Sequence, residues 1–474
     1  MRILFAASEC FPLIKTGGLA DVVGALPLAL EREGLDVTVF LPGFPGVLSG
    51  LSKKKTYTRL GELAGGEAKL VSGTTKTGLS VMALDAPHLF DIQGNPYLDA
   101  DGRDRAGNGI NFAAFARIAA ALADGRIKGP GFDVLHAHDW QAGLAAAYLR
   151  SFESSVKSVL TIHNLAFQGL FPKSLMEELL LPSGYFSRDG LEYWDQVSFL
   201  KAGIAFSDHI TTVSPSYALE IQSDEGGMGF GGLLRARSDD LSGILNGIDL
   251  DVWDPAADPA LAHPYSDAAG KAQNKRALQE ALGLRVDAGV PLFTVVSRLT
   301  TQKGLDLLAG MTDALVNEGG QLALLGSGNA AIETAFLEAA TRHPTEVSVT
   351  IGYDEPLAHR LQAGADAIFI PSRFEPCGLT QLCAMRYGTV PVVGRVGGLN
   401  DTVIDASPMA VSAGAATGVQ FAPVNAHLLY NAVQRTFALY RDTPSWDAMV
   451  ANCFAQDVGW ESSAREYREL YESL

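Results

Sequence analysis

Short runs of aliphatic and β-branched residues alternate with longer amphipathic stretches along almost the whole chain. The short runs predict buried strands, and stretches such as 19–34 and 305–320 place apolar residues at helical spacing. Strands that alternate with helices build parallel sheets with crossover helices. The predicted strands span residues 3–7, 37–42, 134–138, 158–164, 209–214, 291–297, 322–326, 347–352, 367–372 and 390–394.

At 474 residues, the chain is longer than one hydrophobic core usually allows. The predicted strands divide evenly between two halves, so the sequence predicts two doubly wound, Rossmann-like α/β domains. We place the first domain at 1–245 and the second at 246–456. The stretch 254–272 is rich in Pro, Ala and Asp, which predicts a connection between the halves. Residues 457–474 predict a charged amphipathic helix that is surplus to the second sheet.

The net charge of the chain is −17, so its surface on average repels nucleic acid and anionic membranes. We expect neither as a partner, and an anionic substrate would need a local cluster of basic residues. The sequence has no recognisable signal peptide and no apolar stretch long enough to cross a membrane. The 4 cysteines lack the spacing of metal ligands, which predicts reduced thiols in a cytoplasmic protein.

One nonapeptide pattern occurs twice, as KTGGLADVV at 15–23 and as RVGGLNDTV at 395–403. Each copy follows a predicted strand and opens a predicted helix. A glycine pair there lets the backbone approach a ligand, and the N–H groups at a helix start suit phosphate. The alternative is that the glycines only permit a tight turn. Two copies at equivalent places favour two related halves with a ligand cleft between them.

Arg298 and Lys303 follow a predicted strand directly, in the segment SRLTTQKGLD. An acidic protein that binds a nucleotide diphosphate needs such cations, and their spacing lets both reach one anion. Preorganised cations also stabilise a leaving diphosphate as it gains charge. The competing interpretation is an ion pair with Asp306 or another acid. We favour the phosphate site.

Six segments of the chain form a specific set in the order KTGGLADVVGALP, HAHDW, IHN, LNGID, SRLTTQKG and RFEPCGLTQ. Together they resemble the bacterial glycogen synthases and plant starch synthases. The resemblance implies the α/β GT-B architecture, in which two Rossmann-like domains face each other across a cleft and the C-terminal helix returns to the first. It implies a retaining glucosyltransferase that moves glucose from ADP-glucose to the non-reducing end of an α-1,4-glucan such as glycogen. The preference for ADP over UDP rests on the resemblance alone.

The resemblance also assigns the donor site. Lys15 would place its charge on the diphosphate beside the backbone of Gly17 and Gly18. Glu375 would stabilise positive charge at the anomeric carbon of the donor glucose, and His163 would contact that sugar. Together with Arg298 and Lys303, these two residues form the predicted catalytic set. The further donor contacts are Asp21, Asn246, Tyr353 as a stacking surface for adenine, Cys377, Gly378, Leu379 and Thr380.

Some of these assignments compete with simpler ones. Asp21 either contacts the donor or only orients its loop. Asp139 and Trp140 follow the predicted strand 134–138, and we predict acceptor contacts for both, because an indole can stack on glucose and a carboxylate can bond sugar hydroxyls. Tyr97 either adds a second stacking surface or is an ordinary loop tyrosine.

The chain departs from the family pattern at two positions. Val396 stands where threonine usually precedes the second glycine pair, so a hydroxyl contact is lost there. Cys383 stands eight residues after Glu375, where the wider group often has a second glutamate. We therefore assign no ribose contact to that side chain.

Other functions remain as alternatives. They are a different GT-B enzyme such as an epimerase, and a non-catalytic glucan-binding protein, which should lack the phosphate cations. A dehydrogenase ranks last, because GMGFGG (227–232) follows a helical pattern and GSGNAA (326–331) lacks the acidic residue expected after the next strand. Two acidic segments, DLD (249–251) and DADGRD (99–104), hint at metal binding but lack a complete ligand pattern. We predict an enzyme without metal or cofactor, whose activity is insensitive to chelators.

Overall fold

The chain folds into two compact units. The computed structural model describes residues 1–99, 101–129 and 131–474. The first unit comprises Met1–Asn246 together with Trp460–Leu474, and the second comprises Gly247–Gly459. The acidic segment 99–104 includes Ala100, which lies outside the described residues. Within the described parts of the chain, every helix is too short or too polar to span a bilayer.

Among the described residues, the first unit contains a large mixed sheet of nine strands and a separate small antiparallel sheet of three. Its strands are β1 (Arg2–Ala6), β2 (Asp36–Pro42), β3 (Ser52–Leu63), β4 (Gly66–Thr74), β5 (Ser80–Asp85), β6 (Val134–His138), β7 (Lys157–Ile162), β8 (Leu170–Pro172), β9 (Glu192–Tyr193), β10 (Gln196–Ser198), β11 (His209–Thr212) and β12 (Leu241–Gly243). Its helices up to the unit boundary are α1 (Gly18–Arg32), α2 (Pro45–Gly50), α3 (Pro87–Phe90), α4 (Asn108–Ala123), α5 (Asp139–Ser151), α6 (Met176–Leu179), α7 (Phe199–Phe206), α8 (Pro215–Glu220) and α9 (Gly231–Ala236).

The strand order in the large sheet of the first unit is β12-β11-β7-β6-β1-β2-β5-β4-β3. The pairs from β12 to β5 are parallel, and β4 pairs antiparallel with both β5 and β3. The chain runs outward in one direction from β1 to β2 and in the other from β6 to β7. The switch point of the sheet therefore lies between β1 and β6, where ligands bind in folds of this type.

The second unit is a smaller, fully parallel version of the same design. Its strands are β13 (Leu292–Val296), β14 (Gln321–Gly326), β15 (Val347–Ile351), β16 (Ala367–Ile370), β17 (Val390–Gly394) and β18 (Val419–Phe421). Its helices are α10 (Ala268–Ala281), α11 (Leu305–Ala309), α12 (Thr312–Asn317), α13 (Ala330–Arg342), α14 (Glu355–Gly364), α15 (Thr380–Arg386), α16 (Gly397–Thr402), α17 (Pro408–Ser412), α18 (Ala426–Arg441) and α19 (Thr443–Phe454). The order β15-β14-β13-β16-β17-β18 puts the switch point between β13 and β16.

The last helix, α20 (Glu461–Ser473), belongs to the first unit. It packs against α1 and buries Tyr467 and Tyr471. The Tyr471 hydroxyl lies 2.7 Å from Nδ1 of His136 on β6, and Arg468 pairs with Glu33 at 2.9 Å. Buried rings on one face and ion pairs at its edge therefore hold α20 to this unit.

The ten predicted strands are all present, with ends that differ by at most two residues. The sequence pattern missed the antiparallel strands β3–β5. Exposure explains the omission of β3, most of whose residues are exposed, so that strand lacks the apolar run used to recognise the others; it does not explain β5, which is mostly buried. The predicted helix 305–320 is divided into α11 and α12.

Candidate active site

Three neighbouring strands of the first unit carry polar residues at their carboxyl ends. Glu9 lies in the loop after β1, Asp139 directly follows β6, and His163 directly follows β7. Because β7, β6 and β1 are adjacent in the sheet, these loops meet at its switch point. The sequence predicted Asp139 and His163 for this edge but not Glu9.

Glu9 holds the first glycine-pair loop. Its carboxylate is only 3% exposed. One oxygen accepts hydrogen bonds from the hydroxyls of Tyr97 at 2.7 Å and Thr16 at 2.5 Å, and the other accepts from the backbone N–H groups of Thr16 and Gly17. The protein's own carboxylate therefore occupies the Gly17 amide in this structure, and a phosphate would have to displace it, so the donor contact of Gly17 stays a prediction.

Lys15 lies beside the same loop and pairs with Asp21 at 2.7 Å. Both side chains are about one-third exposed, at 33% and 34%. A pair this accessible is weak and can be exchanged for a stronger anion. Asp21 therefore holds Lys15 in the structure without ligand, and its two predicted roles, donor contact or orientation of its loop, both stay predictions.

The two predicted aromatic platforms are held by the protein's own residues. Trp140 is 8% exposed, and its ring packs against Phe112, Phe171 and Phe199 at centroid distances of 5.0, 5.7 and 6.3 Å. The acceptor contact of Trp140 stays a prediction, and it would require these packed rings to move. The hydroxyl of Tyr97 is bonded to Glu9 and Ser8, so this tyrosine anchors its loop.

Asp139 connects two of the strand ends. Its backbone has a positive φ of 55°, a conformation that costs energy for a residue other than glycine and is often found at functional sites. Its carboxylate accepts a hydrogen bond from the N–H of His163 at 2.7 Å. Burial raises the pKa of Asp139 to about 7, although the hydrogen bonds from His163 and Asn164 oppose the rise. Burial lowers the pKa of His163 to about 3, so this imidazole is neutral at physiological pH.

In the second unit, the predicted catalytic residues also lie at a switch point. Arg298 and Lys303 follow β13, and Glu375 follows the neighbouring strand β16. The Lys303 ammonium lies 2.5 Å from Oε2 of Glu375, and the hydroxyl of Ser372 donates to the same oxygen at 2.9 Å. A partly exposed cation and a buried carboxylate therefore form one cluster.

Arg298 remains available for a ligand. It is exposed and makes no ion pair among the described residues, whereas Asp306 pairs with Arg373 through contacts of 2.7 and 2.8 Å. That bidentate pair also lowers the pKa of Asp306. Asp306 therefore neutralises neither Arg298 nor Lys303, but Lys303 does pair with another acid, Glu375, so the ion-pair interpretation holds for Lys303 and not for Arg298.

The loop after Glu375 leads into α15. Gly378 has a positive φ of 75°, which turns the chain before the helix begins at Thr380. Within the described residues, the N–H groups of Gly378 and Leu379 have no protein acceptor, and Cys377 is buried. Unpaired N–H groups at this place suit an anion, as the sequence predicted.

The second glycine pair supports this loop. A side chain on Gly397 would place its Cβ 2.1 Å from the carbonyl oxygen of Glu375, and one on Gly398 would come within 2.3 Å of that of Cys377. The N–H of Gly398 also donates to the carbonyls of Glu375 and Pro376 at 3.2 and 3.1 Å. By contrast, a Cβ on Gly17 in the first copy would have nothing within 4 Å.

We expect Gly397→Ala to destabilise the second unit more than Gly414→Ala does. Both glycines have positive φ, 42° and 65°, but a Cβ on Gly414 would meet nothing within 4 Å. The control should cost about 1 kcal/mol for its backbone conformation. The collision should add about 1–3 kcal/mol to that. Urea denaturation of the two variants measures the difference, and equal costs would show that the contact with the Glu375 loop is unimportant.

Two other predicted donor contacts differ in their accessibility. Tyr353 is 74% exposed, so its ring is open to stacking, and its hydroxyl donates to Glu355 at 2.6 Å. Asn246 is buried, and its Oδ1 has no hydrogen-bond partner among the described residues. Neither observation identifies a ligand, but the exposed ring of Tyr353 and the Oδ1 of Asn246 are each available to contact one.

The competing motifs have structural roles. In GSGNAA, a Cβ on Gly326 or Gly328 would collide with the carbonyl of Ser297 or Leu299, at 2.0 and 2.5 Å. These glycines therefore let the loop pack against the segment that carries Arg298. In GMGFGG, the last two residues begin the short helix α9. Among the described residues, no group of three or more His, Cys, Asp and Glu side chains could hold a metal ion.

In the comparison with known families, each of the two units matches a family model of glycosyl-transferring enzymes. The family model "Starch synthase catalytic domain" matches residues 2–236, and "Glycosyl transferases group 1" matches residues 283–442. The chain is 52% identical to a glycogen synthase of Rhodopseudomonas palustris (strain ATCC BAA-98 / CGA009), with 100% of this chain and 99% of the relative covered. It is 51% identical to a glycogen synthase of Roseobacter denitrificans, with 100% and 99% covered.

Solved structures show the same fold. The catalytic domain of starch synthase IV from Arabidopsis thaliana, bound to ADP and acarbose, matches with a TM-score of 0.90 and 33% identity, covering 99% of this chain and 98% of that one. A sucrose-phosphate synthase from Thermosynechococcus elongatus matches with a TM-score of 0.61 and 19% identity, covering 100% and 98%. The second likeness concerns the fold alone.

Proposed function

The chain belongs to the bacterial glycogen synthase family of GT-B glycosyltransferases, and from this premise we propose that it transfers glucose from ADP-glucose to the non-reducing end of an α-1,4-glucan, with retention of configuration. The observation that carries the proposal is the cluster at the switch point of the second unit. There, two cations and a carboxylate stand at the ends of the neighbouring strands β13 and β16.

The cations suit a nucleotide diphosphate. Arg298 is exposed and unpaired among the described residues, and a guanidinium can bind phosphate oxygens in a bidentate manner. The free amides of Gly378 and Leu379 supply further donors. As the bond from the anomeric carbon to the diphosphate breaks, ADP leaves with the electron pair and gains charge. Fixed cations stabilise that charge more than they stabilise the bound donor.

Glu375 supplies the opposite charge. Positive charge develops at the anomeric carbon while the leaving group departs, and a nearby carboxylate stabilises it. Without substrate, this carboxylate is neutralised by Lys303 at 2.5 Å. We propose that the donor diphosphate draws the Lys303 ammonium to itself and so leaves Glu375 to act on the sugar.

The acceptor hydroxyl then attacks from the face that ADP leaves, which retains the configuration. Its proton passes to an oxygen of the departing phosphate, so the carbon–oxygen bond that forms replaces the one that breaks. We propose donor contacts for Lys15 and His163, and an acceptor contact for Asp139, as the family resemblance implies. No metal is required in this scheme, because side-chain cations carry the charge. We further propose that the reaction takes place in the cytoplasm.

The proposal is tested by incubating the protein with radiolabelled ADP-glucose or UDP-glucose, each with and without glycogen. Label should enter glycogen from ADP-glucose and require the polymer. The same rate should be seen after addition of EDTA, which tests the absence of a metal. Transfer from UDP-glucose alone would change the donor assignment, and no elongation from either donor would refute the function.

A further inference from the structure

The first unit contains three histidines that form a continuous group at the ends of β6 and β7. His136 and His138 lie on the same side of β6, and their rings stack with centroids 4.3 Å apart. Nδ1 of His138 lies 3.0 Å from Nε2 of His163. Of the three, only His163 was predicted to act in the reaction. The inference below concerns His138 and rests on the proposed function of His163.

The His138–His163 contact needs one proton between two nitrogens. Burial lowers the pKa of both imidazoles, so both are neutral and each ring carries a single N–H. Either His138 donates through Nδ1, or His163 donates through Nε2. In the first arrangement, Nε2 of His138 is unprotonated and Nδ1 of His163 carries a proton. In the second arrangement, these two protonation states are reversed.

The surroundings of His138 distinguish the two arrangements. Its other nitrogen, Nε2, is buried and has no hydrogen-bond partner among the described residues. If His163 were the donor, the proton of His138 would sit on this nitrogen as a buried, unpaired N–H group. Buried N–H groups without a partner are rarer than buried acceptors without one. The first arrangement, in which only a lone pair is unpartnered, is therefore favoured.

We propose that His138 is a positioning residue that fixes His163 as the Nδ1–H tautomer, so that His163 presents an N–H donor to a hydroxyl of the donor sugar. With Nε2 of His163 accepting from His138, its single proton must reside on Nδ1. No protein group within the described chain is bonded to that nitrogen, and it is not among the fully buried polar atoms that lack a partner. It is the one ring nitrogen of the contact that remains open to a ligand.

The neighbours of His138 prevent its ring from turning. His136 stacks on it, and the Phe5 ring lies at a centroid distance of 4.9 Å. His136 is itself fixed at both nitrogens, by Tyr471 at 2.7 Å and by Thr161 at 2.5 Å. Because Tyr471 lies on α20, the C-terminal helix of this unit contributes to the orientation of the predicted catalytic histidine.

The test compares His138→Asn with His138→Phe in the full chain. An asparagine amide places an N–H donor close to the position of Nδ1, whereas phenylalanine keeps the ring volume and removes the donor. We expect His138→Asn to stay within about threefold of the native turnover and His138→Phe to fall about tenfold or more, as expected for one misdirected hydrogen bond. Similar melting temperatures for the two variants would show that packing is preserved.

A second readout does not depend on activity. The ¹⁵N shifts of the ring nitrogens in protein labelled at histidine show which nitrogen carries the proton, and His163→Gln identifies the His163 signals by their loss. The native protein and His138→Asn should show His163 protonated at Nδ1. In His138→Phe, the proton should move to Nε2, the position that free imidazole side chains favour.

Two results would overturn the proposal. One is a native spectrum with His163 protonated at Nε2, and the other is equal turnover in the asparagine and phenylalanine variants. If the expected tautomer is found but no glucan is elongated by the native protein, the positioning role stands and the proposed function fails. The two claims are therefore tested separately.

Discussion

Turnover of Glu375→Gln is expected to fall about 10²–10³-fold, the loss typical of removing one preorganised electrostatic group from an active site. Glutamine has nearly the same shape but no charge. It can still accept a hydrogen bond from Ser372 or from Lys303, which both contact Oε2 of the native residue. What the substitution removes is the negative charge that we propose to act at the anomeric carbon.

The structural cost of this substitution should be small enough to leave the protein folded. Glu375 is 7% exposed, but the side chain of its partner Lys303 is 19% exposed and can turn toward solvent. We expect a loss of about 1–3 kcal/mol in the free energy of unfolding, below the cost of unpairing a fully buried charge. Circular dichroism and thermal melting check that the fold persists.

The measurement is the initial rate of glucose transfer at saturating ADP-glucose and glycogen. Glu318→Gln is a matched control, because Glu318 also accepts a hydrogen bond, from the Tyr430 hydroxyl at 3.0 Å, but lies on another part of the second unit. The control should keep nearly the native rate. A rate for Glu375→Gln within tenfold of the native one would remove this carboxylate from the mechanism.

The fold could be predicted from the sequence wherever burial requires apolar runs. Strands such as β6 and β14 are buried along their whole length, and their composition reveals it. The stretch 254–272 shows the opposite case. Its composition predicts a connection between the halves, which is wrong, because it lies within the second unit and buries Asp258 against His359 and Tyr387 at 2.7 and 2.6 Å. Composition alone does not show that a polar residue has found buried partners.

The same limit applies to the candidate site. Residues that directly follow a strand, such as His163 and Arg298, could be found because parallel strands gather their carboxyl ends at one edge. Trp140 also follows a strand closely, but its residue type does not show that three phenylalanines cover it. Glu9 has no motif of its own, and its four hydrogen bonds to the glycine loop and Tyr97 become visible only in the fold.

The two nonapeptides illustrate how related sequences acquire different roles. Both open helices at the carboxyl ends of parallel strands, but α1 follows β1 at the switch point of the first sheet, whereas α16 follows β17, one strand away from the switch point of the second. The first keeps open space at Gly17 and a lysine held by an accessible ion pair and by a cation–π contact with Phe11 at 5.3 Å. In the second, Gly397 and Gly398 are packed against the loop of Glu375. The first copy therefore remains suited to a ligand, and the second supports a predicted catalytic residue.

Arg298→Ala should reduce turnover about 10²–10³-fold with little change in stability. Arg298 is exposed and makes no ion pair among the described residues, so its removal leaves no buried partner unsatisfied. Its contribution should be greatest when the diphosphate leaves with its added charge. Arg298→Lys should restore only part of the activity, because a point charge cannot reproduce bidentate binding of phosphate.

Substitution of Lys303 tests the role of cations at the leaving diphosphate less directly than substitution of Arg298 does. Lys303→Ala also removes the partner of Glu375, so its loss of activity would combine a missing phosphate contact with a disturbed carboxylate. We therefore expect Lys303→Ala to lower the melting temperature as well as turnover, in contrast to Arg298→Ala. The comparison separates the role of a free cation from that of a paired one.

The experiment measures turnover, the inhibition constant of ADP and the melting temperature for each variant. Arg276→Ala serves as the control, because Arg276 is an exposed arginine of the same unit that pairs only with Glu280, at 3.0 Å, among the described residues. Arg298→Ala should weaken inhibition by ADP, whereas the control should not. If Arg298→Ala retains turnover and ADP inhibition near the native values, Arg298 does not bind the diphosphate, because a guanidinium that is unpaired among the described residues would have been removed without effect.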